Sequence, residues 1–90
     1  MRSFSIEAKL QNILGKLYKK DRTTYEIIMD KIQEILTCAD VDHYKNLRKP
    51  LHHLKRVHIH KSFVLVFHYH KAEDTVIFYD FDHHDNIYKI

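Results

Sequence analysis

Residues 56–81 read RVHIHKSFVLVFHYHKAEDTVIFYDF, and the reading of this stretch decides the fold. Three runs within it, RVHIH (56–60), FVLVFHYH (63–70) and TVIFYDF (75–81), are dense in β-branched and aromatic residues. Such side chains suit a pleated, half-buried surface. The spacers between them, Lys61-Ser62 and residues 71–74, have the lengths of hairpin turns. Three consecutive antiparallel strands are therefore predicted. If the first hairpin turns about Lys61-Ser62, His58 pairs opposite Leu65 and His68 opposite Lys55. Because side chains alternate across a strand, that register puts Val57, Ile59, Val64, Val66, Ile77 and Tyr79 on one face, which should carry helices. The other face would collect Arg56, His58, His60, Phe63, Leu65, Phe67, Tyr69, Val76, Phe78 and Asp80, with no helix left to cover it.

Upstream, Leu10, Ile13, Leu14 and Leu17 fall at the i, i+3, i+4, i+7 spacing of an amphipathic helix over residues 7–20. Gly15 lies inside it and predicts close packing against a neighbouring helix. Thr23, with Glu26 three residues on, reads as an N-cap and capping box. Tyr25, Ile28, Met29, Ile32, Ile35 and Leu36 carry the helical spacing on to Cys38. Two such helices joined by a very short connection form an antiparallel hairpin. Residues 1–6 suit a short edge strand, and the tail HHDNIYKI (83–90) suits a last helical turn capped by Asp82. The predicted class is α+β: a short N-terminal strand, an antiparallel helical hairpin, a three-stranded antiparallel β-sheet and a short C-terminal turn.

A chain of 90 residues, with Gly 1, Pro 1 and 44% apolar residues, fits one folded domain over residues 1–90. MRSFSIEAKL lacks the apolar core of a signal peptide and no window has the length of a membrane span, so a cytoplasmic location with no membrane role is expected. The single cysteine, Cys38, excludes an internal disulfide and a cysteine-based zinc site, and reads as a small, partly buried apolar residue.

The net charge of +3 conceals its distribution. Residues 1–42 balance seven Lys or Arg against seven Asp or Glu, residues 43–71 hold seven against none, and residues 72–90 hold one against five. Uncompensated positive charge in a compact chain is tolerated as a solvated face or for a polyanionic partner. Nine histidines raise a metal reading. A metal site needs about four converging ligands, whereas the register above puts the pairs His58/His60 and His68/His70 on opposite faces with no carboxylate beside them. No metal and no cofactor are expected, and His43, His53, His68 and His70 read as surface side chains. His58, His60, His83 and His84 border the basic run or lie in the tail. Imidazole exchanges a proton near neutral pH, and cleavage of RNA by its own 2′-hydroxyl needs a proton acceptor, cations for the developing charge and a proton donor. The stripe of Phe63, Phe67, Tyr69 and Phe78 reads as a minor core under the C-terminal turn, with base stacking as the functional alternative.

The order of elements resembles the RelE/ParE superfamily of toxins from toxin–antitoxin pairs, over essentially the whole chain. KNLRKPLHHLKRVHI is similar to the family's basic, proline-containing run into a basic strand, FVLVF to its Y-R-V-x-Y strand, and FDHHDNIY to its G-H-R-x-x-V-Y ending. The histidines favour the RelE-like, YafQ-like branch. The resemblance implies a metal-independent mRNA endonuclease acting on ribosome-bound mRNA, held inactive by a cognate RelB-like antitoxin, as a heterotetramer with it. It implies Arg56, His58, His84 and Tyr88 as catalytic residues. Lys45, Arg48 and Lys49 match the segment that contacts the RNA backbone, and Lys55, His60 and Lys61 extend that RNA-binding surface. The ParE-like alternative keeps the fold, inhibits DNA gyrase and cuts no RNA. Two positions depart from the family pattern: Val64 stands where Arg is usual, and Asp82 where Gly is usual.

Overall fold

The computed structural model describes residues 1–87. Strand β1 (Ser3–Ile6) leads into helices α1 (Ala8–Lys20) and α2 (Arg22–Thr37); a 3₁₀ turn (Val41–His43) and a basic loop lead to strands β2 (Lys55–His58), β3 (Phe63–His70) and β4 (Thr75–His83), and a short helix α3 (His84–Ile87) follows. The sheet has the order β1-β4-β3-β2. The last three strands are antiparallel, as expected, while β1 joins the edge parallel to β4, making one mixed four-stranded sheet.

The helical hairpin turns on a single residue. Asp21 follows α1 and caps α2, its carboxylate accepting from the Thr24 amide at 3.2 Å and the Thr24 hydroxyl at 2.6 Å. The cap is therefore Asp21 and not Thr23; with so short a connection the last residue before the helix satisfies its free N–H groups. Gly15 does not mark a close approach either, because a Cβ there would meet nothing within 4 Å.

The strand register differs from expectation by one residue. His58 pairs with Val64 and Val57 with Leu65, closing a longer loop in which the Ile59 amide bonds the Phe63 carbonyl at 3.0 Å. A one-residue slip exchanges the two faces of a strand. Leu65, Phe67, Val76 and Phe78 thus meet Leu10, Ile28 and Ile35 beneath the hairpin in the main core. Val64 and Val66 point the other way, into a second, smaller cluster with Leu47, flanked by Leu51, Leu54, Tyr79 and Ile87. An irregularity between Val66 and Phe67 moves the β4 partner from Asp80 to Phe78. The aromatic side chains are core, and the face away from the helices is closed by the basic loop and α3; only Phe63 of the expected stacking stripe is exposed, lying on Phe81 with ring centroids 5.5 Å apart. Cys38 is half-buried at the end of α2, its thiol directed at the Ile35 carbonyl.

Arg2 secures the other end of α2. Its guanidinium donates to the Leu36 carbonyl at 3.4 Å, the Cys38 carbonyl, the Ala39 carbonyl at 3.2 Å and Asp74 Oδ1 at 2.9 Å. Carbonyls left free at a helix C-terminus are satisfied by a cation there. Among the described residues, no helix is long and apolar enough to cross a membrane.

Candidate active site

The basic run becomes a loop laid over the second cluster. Leu47, buried on Val64 and Val66, anchors it, and backbone bonds from Leu47 to Leu54 (2.8 Å), Leu51 to Arg48 (2.9 Å) and Arg56 to Lys45 (2.9 Å) close it on itself. With the apolar residues turned down, Lys45, Arg48 and Lys49 are exposed. At the other end of the cluster α3 brings the tail across, the His84 amide bonding the Ser62 carbonyl at 2.8 Å. Asp82 accepts from the His83 amide at 2.7 Å and from Asn86 Nδ2 at 3.1 Å. The cap of α3 is not the expected Asp82, which lies within β4, but His83, the residue before the helix, whose Nδ1 accepts from the Asp85 amide at 3.2 Å; Asp82 braces the turn from one residue earlier.

Between loop, sheet and tail lies a cleft of about 200 Å³, lined by Leu47, Arg48, Arg56, His58, Val64 and His84. Its apolar lining comes from the second cluster, with two arginines and two histidines around it. Arg56 Nη1 lies 3.4 Å from His58 Nδ1. The His84 ring has one nitrogen, Nε2, 3.2 Å from Asp85 Oδ1, and the other, Nδ1, buried without a hydrogen-bond partner. A neighbouring groove shares Arg56 and His58 and runs past Lys45, His43 and Tyr44. There the Tyr44 hydroxyl donates to Glu34, which holds the Glu34 carboxyl below the usual carboxylate range, with Lys31 adding to the effect, while burial and that carboxylate push the Tyr44 hydroxyl up. Lys45, Arg48 and Arg56 make the two openings cationic, whereas Lys31 is paired with Glu34 at 3.2 Å.

The structure thus brings Arg48, Arg56, His58 and His84 together and sets Lys45 beside them. Lys49 and Lys61 are exposed but line neither opening, and Tyr88 lies outside the described residues. Two residues expected on the RNA surface are elsewhere. Lys55 is 7% exposed and turned toward the helical side; its ammonium donates to the Tyr44 carbonyl at 3.2 Å and Asn46 Oδ1 at 3.0 Å, with Asp42 at 3.6 Å. His60 reaches back to the helical turn, its Nε2 3.1 Å from the Thr24 hydroxyl. Alternation along β2 accounts for Lys55, which points away from the Arg56 face and pairs with the core residue Phe67.

The register also places His58 and His68 on the same sheet face, not opposite ones, but at opposite ends of β3, and His68 bonds the His53 carbonyl at 2.8 Å. Among the described residues, only His83, His84 and Asp85 gather three metal-type donors, all within 4.8 Å of one another, and no fourth donor joins them. The His83 Nδ1 lone pair is already taken by the Asp85 amide at 3.2 Å, so this group is held by its own hydrogen bonds. Sequence reasoning passed over Asp85 and the Glu34–Tyr44 pair; the HHD triplet was a visible signal for the first, whereas nothing local announces a contact between residues ten apart.

A mixed sheet with a helical hairpin on one face and a cationic, histidine-bearing cleft on the other defines a small α+β protein. No protein-family model matches the sequence. A chain of Methanocaldococcus jannaschii named "Putative toxin RelE4" is 53% identical over 89 residues, 99% of this chain and 93% of that one. A Methanosarcina mazei protein without a functional name is 47% identical over 92% of this chain and 94% of its own length. Among solved structures, a metal-bound toxin from Helicobacter pylori superposes with a TM-score of 0.76 at 19% identity, covering 98% of this chain and 100% of that one. YafQ from Escherichia coli BL21(DE3) gives 0.66 at 12%, covering 99% and 100%, and the RelBE2 toxin–antitoxin complex from Mycobacterium tuberculosis gives 0.61 at 17%, covering 91% and 90%. The chain belongs to the RelE-like family of toxins from toxin–antitoxin systems.

Proposed function

We propose that the chain is the RNA-cleaving toxin of its pair, cutting ribosome-bound mRNA by attack of the 2′-hydroxyl on the adjacent phosphate. One observation carries the reading: Arg48, Arg56, His58 and His84, from a loop, a strand and the tail, line a single cleft. Arginines hold a phosphate in place and stabilise charge that develops on its oxygens, and two imidazoles can take and give the protons. Lys45 extends the backbone contact along the neighbouring groove. The partner is an acidic antitoxin segment that covers this surface, matching its charge.

His58→Ala and His84→Ala are each expected to slow single-turnover cleavage on programmed ribosomes by about a hundredfold or more, the usual scale for such groups. Toe-print mapping is expected to place the cuts in the decoding site. Normal rates in both variants would rule the site out. A gyrase supercoiling assay run in parallel is expected to show no inhibition; inhibition without RNA cleavage would favour the ParE-like alternative.

A further inference from the structure

His60 belongs to the basic run, yet it does not line the cleft. Its Nε2 lies 3.1 Å from the Thr24 hydroxyl, and that hydroxyl lies 2.6 Å from Asp21 Oδ2. A threonine hydroxyl carries one hydrogen and an ionised carboxylate can only accept, so the hydrogen goes to Asp21. Toward His60 the same oxygen accepts, and Nε2 is the donor. The sense of the chain is thereby fixed: His60 donates to Thr24, and Thr24 donates to Asp21. Thr24 is buried, at 7% exposed, which shields its oxygen from competing water.

What the same loop holds further along gives this tie a consequence. Residues 59–62 join β2 to β3. The Ile59 amide closes them on the Phe63 carbonyl at 3.0 Å, and the Ser62 carbonyl, two residues beyond His60, accepts from the His84 amide at 2.8 Å. Phe63 and His83 pair across β3 and β4, with their rings 5.6 Å apart, edge to face. His84, whose ring lines the cleft, is therefore hung from this loop. The loop does not rest on the helices by apolar contact alone. A gap of about 160 Å³ is bordered by Leu17, Asp21 and Thr24 of the helical hairpin and by His60, Phe63 and Phe81. Atoms facing a gap lack partners on that side, so the polar bond that spans it carries more of the attachment.

We propose that His60 is a positioning residue: by donating to Thr24 it moors the β2–β3 loop to the helical corner and so sets where His84 stands in the cleft. His60 does not touch the reacting atoms. Its effect on cleavage rests on the nuclease reading, whereas the mooring does not. Asp21 thus serves two elements at once, holding the first turn of α2 and, through Thr24, the loop that bears the tail.

Hydrogen exchange and single-turnover cleavage test this on the full chain. In His60→Ala the His84 amide is expected to exchange roughly tenfold faster through local opening, the scale of one lost hydrogen bond, while amides in the middle of β3 keep their protection. His60→Gln, whose side-chain nitrogen can donate in place of Nε2, should restore the slow exchange, and Thr24→Val, which offers no acceptor, should behave like the alanine variant. Unchanged exchange at His84 in His60→Ala would overturn the proposal whatever the protein cleaves. In cleavage, His60→Ala is expected to slow the rate roughly tenfold, since a small displacement of a reacting group suffices, with recovery in His60→Gln. Affinity for RNA blocked by a 2′-O-methyl group should stay the same. Weaker affinity at an unchanged rate would make His60 an RNA contact and overturn the proposal. A normal rate in His84→Ala would instead defeat the nuclease reading and leave the exchange result to judge the mooring.

Discussion

Lys55 and Arg56 are neighbours in one basic run, yet their side chains have different surroundings. Arg56 lines the cleft, while Lys55 is buried among the Tyr44 carbonyl, Asn46 and Asp42. Adjacent strand residues must point to opposite faces, so two cations in sequence cannot both serve one surface. Lys55→Met is expected to lower stability by about 1–3 kcal/mol, because it leaves the buried Tyr44 carbonyl without its donor and removes the part-buried bond to Asn46. Urea unfolding would measure this, and the cleavage rate per folded molecule should be unchanged. Arg56→Met should do the reverse, melting normally and cutting poorly. The residue types of the cleft were legible in the sequence: a basic run with interspersed histidines, and a histidine tail. Which of them meet was only partly so. FVLVF is apolar on both of its faces, since Val64 and Val66 are buried as fully as Leu65 and Phe67. A strand of that kind fits two registers equally well by pattern alone, and the turn that breaks the tie carries no Asn-Gly or Asp-Gly signal.

At the level of elements, α2 and the start of the basic loop are tied through Glu34 and Tyr44. The carboxyl is depressed in the folded state, chiefly by the Tyr44 hydroxyl. A group of that sign stabilises the fold above its ordinary value of about 4.3 and loses the contribution as pH falls through the lower folded value. Urea midpoints are therefore expected to drop more steeply in acid for the unsubstituted chain than for Glu34→Gln, which keeps an acceptor for the hydroxyl and has no charge to lose. Parallel curves would mean that the pair does not tether the loop. The helices were readable because their apolar spacing is strict, whereas the cap of the tail turn is His83 and not the expected Asp82. The parallel pairing of β1 with β4 was not, since four residues carry too little pattern to name a partner some seventy positions away.

Across the whole molecule, charge is sorted by region. The basic middle of the chain supplies one rim of the cleft, and the histidine tail closes the other. Binding of single-stranded RNA to such a surface releases counterions, and the logarithm of affinity falls with the logarithm of salt by about 0.7 for each phosphate neutralised. Replacing Lys45 or Arg56 by Met is expected to reduce that slope by about 0.7 each, measured by titrating 2′-O-methyl RNA at several salt concentrations. Lys55→Met should leave the slope where it was, as a buried ammonium has no counterion to shed.

Asp21 ends one helix and opens the next, so the hairpin contains no spare residue. Adding or removing one residue there would rotate a helix by about 100° about its own axis, turning its apolar stripe out toward solvent. Length variation among related chains should consequently gather in the loop after Asn46, where the backbone closes on itself, and avoid the helical corner.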